Sequence, residues 1–502
     1  MTRGASRMAR WLAFGFLCLY ALTAQRGVSW QDSGVFQLRI AYCNLSGFFG
    51  AATDHSLYIR LAHAFSSFSE DIFCLEVPAS ANLFSALCAA LAVKVLFTVA
   101  FKVTGSVRGA FLAAITFGFA HMVWWLATIA ETYTLSTLFI GLEVLYMIRI
   151  MKGNASFWSI MKLAAFSGLG FATHNLSLLS LPFSIAVVIA ATTPARDSAE
   201  AGSLRFRVTR AIWQILSGGV WFVCSGLSRK IYYAGDATPW QIASNILFGN
   251  YAGEVVGVSG ASIKVTVANF AIMAFSLLLP CWLVAARAMV LRVRSCGLRA
   301  AISGTSAQLR IIAALLAVHA VFLLHYRIAD QALFMLPTLF FSSVLLAALL
   351  KNVRIPALLA VATVVCGVAM PLAANAVLHL PPFQNRIVAS RSRILPFRDE
   401  VRYWALPWKH DESSAERFAA AAIAAMDAKG DASLFADSTS APPLSLRIEN
   451  ASLSWHLYTP WNDCSRFTAE AIEGRQTFAV SPVPGYCPNA ALATGNVKKL
   501  FP

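Results

Sequence analysis

The sequence predicts a mostly α-helical, polytopic membrane protein of about eleven transmembrane helices with a small C-terminal extracytoplasmic α/β domain. Three observations carry that expectation. Of 502 residues, 58% are hydrophobic and 13% charged, about half the charge of an ordinary soluble domain. Apolar runs recur whose length as helices matches about 30 Å of hydrocarbon, where a helix satisfies its own backbone hydrogen bonds. Lys and Arg fall in short clusters on alternate connections between those runs, the pattern of loops held on the cytoplasmic side.

The elements follow in order. Arg3, Arg7 and Arg10 precede the apolar run 11–24. A basic leader before a short apolar run also suits a signal peptide, but Leu22 and Ala24 make a poor cleavage site, favouring a retained first helix with a cytoplasmic N-terminus. Residues 25–80 mix carboxylates with amphipathic patches such as 57–68, which suits a long external loop carrying short interfacial helices. Further spans are expected near 81–103, 109–130, 133–151, 159–172, 176–191, 211–227, 265–291, 309–324, 331–350 and 355–378. Counted alternately, they leave Arg108, Arg149 with Lys152, Arg196 to Arg210, Arg287 to Arg310, and Lys351 with Arg354 in the cytoplasm. A transmembrane domain over 1–379 and an extracytoplasmic domain over 380–502 result. Within the latter, 415–428 has a helical pattern, and 433–436 and 445–448 have strand patterns. No internal repeat of the kind common in secondary transporters stands out.

The net charge of +16 does not indicate nucleic acid, because the cations are dispersed as topological signals and form no stripe with interleaved aromatics. Cys18, Cys88, Cys224, Cys281 and Cys366 sit within apolar runs as small hydrophobes. Cys464 and Cys487 bracket a polar stretch assigned to the external side, where a disulfide persists. Cys43 and Cys74 share the first external loop and form a second candidate pair.

Ionisable residues are costly inside a bilayer, and here those near helix ends gather on one side. Asp32 follows the first helix, and Asp54 and His55 lie further along the same loop. Glu131, the pair His174 and Asn175, and the pair Arg327 and Asp330 occupy three other external connections. For Asp54, His55 and His174 taken singly, solvation explains their presence as well as function does, whereas Asp32 and Glu131 point to function; together the group places carboxylates, imidazoles and a guanidinium at one depth. Asp32 stands in Trp30-Gln31-Asp32-Ser33-Gly34, where the glycine suits a tight turn just outside the membrane. Glu131 follows Trp124 and Trp125, residues that suit an interfacial belt or a sugar-binding platform.

Several of these stretches together resemble the protein O-mannosyltransferase-like family of the GT-C superfamily. Asp32-Ser33-Gly34-Val35-Phe36 is similar to its Asp-Ser-Gly-Glu-Phe motif, and His55-Ser56-Leu57-Tyr58 to a shortened His-Pro-rich Leu-Tyr motif. Asn82 to Leu87, Trp124-Trp125 through Glu131-Thr132-Tyr133-Thr134-Leu135, Gly170 to Leu178, and Asp330 to Pro337 extend the resemblance. It is good over the first half, patchy over 195–309 and weak in the tail. Val35 replaces the family's glutamate, which makes Asp54 the nearest substitute carboxylate, and the prolines after the family's histidine are absent around His55.

The resemblance implies an inverting transfer of sugar from a polyprenyl-phosphate carrier to a protein or glycan acceptor on the external face. The carrier's tail would lie in membrane lipid. Asp32 is then the general base, with Glu131 and Asp54 as further catalytic candidates. His55, Trp125, His174, Asn175, Arg327 and Asp330 are candidates for binding substrate, Arg327 for the leaving phosphate. No cofactor is required beyond the polyprenyl-phosphate-linked sugar as donor, although the acidic cluster permits a divalent metal. The implied location is a bacterial inner membrane, with the C-terminal domain in the periplasm. The alternatives are a lipid-linked glycan transporter or flippase using the mid-span charges Lys94 and Glu143, and a non-catalytic GT-C-like subunit, to which Val35 lends weight.

Overall fold

A computed structural model of the chain describes residues 2–46, 51–192, 238–251, 253, 263–303, 305–326, 328, 330–390, 395–426, 432–448, 455–458, 476–480 and 497–499. The expected span 211–227 and the candidates Arg327, Cys464 and Cys487 lie outside these residues.

The chain is a helical bundle. Its first helix, α1 (Arg3–Thr23), starts at an N-cap in which the Thr2 hydroxyl accepts from the Ala5 amide. It buries Ala5, Ala9, Leu12, Phe16 and Tyr20 at helical spacing. The short helices α2 (Gln31–Ala41) and α3 (Ser56–Phe73) follow. Next comes α4 (Val77–Thr104), 28 residues of nearly all-round apolar sequence that packs against α1, against α5 (Val107–Phe119) and against α7 (Tyr133–Met151). A helix apolar on every side needs lipid or other helices around it, and α4 is surrounded.

Among the described residues five helices are long and apolar enough to cross a membrane: Val77–Thr104, Tyr133–Met151, Ala307–His325, Gln331–Leu350 and Pro356–Leu378. Two bent pairs raise this to seven if each counts as one span. The run read as one span over 109–130 is α5 followed by α6 (His121–Ala127), bent by 62°. No proline causes this break. It is held from outside, where the Tyr20 hydroxyl donates to the Gly118 carbonyl at 2.8 Å and the Met122 amide to the Ser276 hydroxyl at 3.1 Å. The run over 265–291 is likewise broken by 84° at Leu278–Pro280, where Pro280 has no N–H to continue the ladder.

In the C-terminal part, the helix Ser414–Met426 precedes a four-stranded parallel sheet in the order β2-β1-β3-β4, built from Ala432–Ala436 (β1), Trp455–Tyr458 (β2), Gln476–Val480 (β3) and Val497–Lys499 (β4). The strand pattern at 445–448 is the end of a helix, Ala441–Ile448. Its Pro442 and Pro443 lie in the first turn, where no amide partner is needed. Cys43 and Cys74 are free cysteines, not a bonded pair.

Candidate active site

The site is built from connections between helices. Gln31, not Gly34, makes the turn after the first helix, with φ at 54°, backbone that a side chain tolerates poorly. Asp32 then stands exposed in the first turn of α2, where the helix dipole favours a carboxylate. Gly34 is required for space: a Cβ there would lie 2.2 Å from the Ser29 carbonyl oxygen and 3.2 Å from Pro442 Cβ. Gln37, fully buried, accepts from the Ser29 amide at 2.8 Å and donates to Asn82 Oδ1 at 3.3 Å, tying the turn to α4.

Glu131 lies between α6 and α7, 4% exposed. Its Oε1 accepts from the Ser33 hydroxyl at 3.1 Å, and its amide donates to the Ser85 hydroxyl at 3.1 Å. Burial, then the charge of Asp32 and that of Asp330, push its carboxyl well above the ordinary range, while the Ser33 bond works against them. Glu131, Asp32 and Asp330 therefore feel one another across three connections. Asp330 precedes the 3-10 turn Gln331–Phe334, whose Ala332 amide donates to Asn269 Oδ1 at 3.0 Å.

The two histidines meet. His55, left-handed at φ 45°, stacks on His174 with ring centroids 5.0 Å apart. The His55 Nδ1–H donates to the Thr173 carbonyl at 2.8 Å, and His174 Nδ1 accepts from the Leu176 amide at 3.0 Å. Tyr133, two residues beyond Glu131, lies 5.1 Å from the His174 ring. Asp54 sits beside Arg39, whose guanidinium donates to the Asp54, Thr53 and Asn44 carbonyls. Burial lowers Arg39 to about 10 and the Asp54 charge opposes this, so it stays cationic at neutral pH. Val35 is half-buried on α2, one turn before Arg39. Asn175 donates to the Ile246 and Leu247 carbonyls at 2.8 and 3.0 Å, closing the end of the helix Pro239–Leu247.

Trp125 packs against the C-terminal segment. It is 3% exposed, stacked 5.1 Å from Trp404 with its Nε1 donating to the Tyr403 carbonyl at 3.0 Å. The segment around Tyr403 closes over the bundle through further bonds: His121 Nε2 to the Ala405 carbonyl at 3.1 Å, the Thr128 hydroxyl to the Pro407 carbonyl at 2.9 Å, and the Lys409 amide to the Thr23 carbonyl at 2.7 Å. Among the described residues no three His, Cys, Asp or Glu side chains converge as a metal site. The motifs that contain Ser33 and Ser85 give neither residue a role, and Gln37 stands in none of them, since only their partners distinguish them from other polar residues.

The chain is a helical bundle that gathers carboxylates and imidazoles on its connecting loops. The structure is similar to ArnT from Cupriavidus metallidurans bound to undecaprenyl phosphate, with a TM-score of 0.57 and 12% identity over 91% of this chain and 86% of that one. It is similar to the apo state of the same protein with a TM-score of 0.54 and 14% identity, over 89% and 84% of the two chains. Residues 52–197 match the family described as the protein O-mannosyl-transferase TMEM260 N-terminal domain. The mouse protein O-mannosyl-transferase TMEM260 is 35% identical over 75 residues, a match that spans 15% of this chain and 11% of that protein. Residues 52–197 are thus similar to the N-terminal domain of that family, in a chain whose fold is similar to that of ArnT.

Proposed function

We propose that the chain is a membrane glycosyltransferase that moves a sugar from a polyprenyl-phosphate carrier to a hydroxyl of a protein or glycan at the outer face of a bacterial inner membrane. The N-terminus would be cytoplasmic and the C-terminal domain periplasmic. The carrying observation is that the exposed Asp32 precedes Ser33, whose hydroxyl donates to the buried Glu131, and that the Asp32 charge acts on the Glu131 carboxyl. Two carboxyls in unlike environments divide acid and base roles. The shared fold with ArnT, whose structure holds undecaprenyl phosphate, supports a polyprenyl-phosphate donor.

In this reading Asp32 takes the proton of the acceptor hydroxyl as its oxygen attacks the anomeric carbon. The bond from that carbon to the carrier phosphate breaks, and polyprenyl phosphate leaves with the electron pair. One displacement inverts the anomeric configuration. Burial and the Asp32 charge favour the protonated form of Glu131, which in this reading lessens the like charge beside Asp32. His55 and His174, stacked on each other, would offer imidazole groups to sugar or phosphate in this reading.

The test is release of polyprenyl phosphate by the purified chain in lipid vesicles, supplied with a panel of polyprenyl-phosphate hexoses and a hydroxyl acceptor peptide. Asp32→Asn is expected to cut turnover roughly a hundred- to ten-thousand-fold, the usual worth of a general base. Equal release by wild type and Asp32→Asn would sink the assignment.

A further inference from the structure

We propose that Arg398 is a positioning residue for Asp32, holding the left-handed backbone of Gln31 from the C-terminal segment. This rests on the transferase reading above. Gln31 and Phe397 both have positive φ, at 54° and 62°, and they flank a single contact: Arg398 Nη1 donates to Gln31 Oε1 at 3.2 Å. The guanidinium is itself fixed. Its Nε and Nη2 each lie 2.7 Å from Glu400 Oε1, its carbon sits 4.3 Å from the Tyr403 ring centroid, and its side chain is 2% exposed.

The anchor beneath is rigid as well, because Tyr403 is locked to Trp125 and Ala405 to His121. A non-glycine residue stays left-handed only where its surroundings over-determine it. At Gln31 the described side-chain restraint comes from a residue 367 positions along the chain. Asp32 is the next residue, so the φ of Gln31 sets where the carboxylate points. A buried, already paired arginine is poorly suited to bind the leaving phosphate. It is well suited to transmit a fixed geometry.

The decisive comparison is Gln31→Ala against Gln31→Gly in the full chain in vesicles. Alanine removes the acceptor and keeps the Cβ that disfavours positive φ, whereas glycine adopts this backbone freely. Two readouts are taken: release of polyprenyl phosphate, and labelling of Asp32 by a water-soluble carbodiimide, mapped by mass spectrometry. Gln31→Ala and Arg398→Met are expected to lose about tenfold or more in kcat with KM for the carrier within about twofold, as for a misplaced catalytic group. Both should also change Asp32 labelling. Gln31→Gly, alone or added to Arg398→Met, should recover most of both losses, and Arg398→Lys part of them.

Asp32 labelling and turnover that stay at wild-type levels in Gln31→Ala overturn the proposal. So does a loss that glycine at position 31 fails to recover. Labelling that shifts as expected in a chain that releases no carrier phosphate supports the positioning role and sinks the transferase reading instead.

Discussion

At the scale of single residues, two buried acids make different predictions. Glu131 carries a carboxyl raised by burial and by Asp32. A group raised in the folded state contributes stability that is complete below its ordinary value of 4.5 and is lost as pH rises toward the folded value. Thermal unfolding in detergent should therefore show wild type losing stability relative to Glu131→Gln as pH rises from that value. The amide does not titrate, so a difference constant with pH would contradict a protonated Glu131. Glu143, fully buried on α7, accepts from the Ser184 hydroxyl at 2.5 Å. Ser184→Ala removes that donor, and its expected cost is about 1–3 kcal/mol, read as a lowered unfolding temperature. An unchanged temperature would mean that water replaces the serine.

At the scale of elements, the bends decide the site. The break after Phe119 turns α6 aside, so that Trp124, Trp125 and His121 face the C-terminal segment and Glu131 falls beside Ser33. Tyr20→Phe leaves the Gly118 carbonyl without its donor. It should cost about 1 kcal/mol and loosen hydrogen-exchange protection at residues 118–127. Protection equal to wild type would show that the bend stands without the tyrosine. The α2 entry is tighter still. Gly34→Ala forces a Cβ against the Ser29 backbone, so α2 must shift and carry Asp32 with it. Transfer activity should fall while the fold persists, and full activity would mean that the approach relaxes harmlessly.

At the scale of the whole molecule, the C-terminal segment is clamped to the bundle. Glu416 accepts from the Val28 amide at 2.9 Å and pairs with Arg447, which reaches Glu76 at 2.8 Å. Trp30 donates to the Ser414 hydroxyl at 2.8 Å and packs with its ring tilted 4.7 Å from that of Phe418. The same turn that presents Asp32 is therefore the dock of the C-terminal helix. Arg447→Ala should raise the rate at which limited proteolysis separates residues 380–502 from the bundle. Cleavage at the wild-type rate would show that the ring contact alone holds the dock.

The sequence by itself determined the membrane class, most of the helices and the site loops, because hydropathy and helical period are local properties written in runs of neighbouring residues. It also marked Asp32, Glu131, His55, His174 and Asp330, through motifs a few residues long. Tertiary structure alone decided that α5 and α6 part at an angle, that 445–448 ends a helix, that Trp125 anchors the segment over the bundle, and that Gln31, not Gly34, makes the turn. Each of these depends on a partner far along the chain: Tyr20 for Gly118, Tyr403 for Trp125, Arg398 for Gln31. A propensity read over neighbouring residues carries no term for such partners, so contacts of this kind are set by packing.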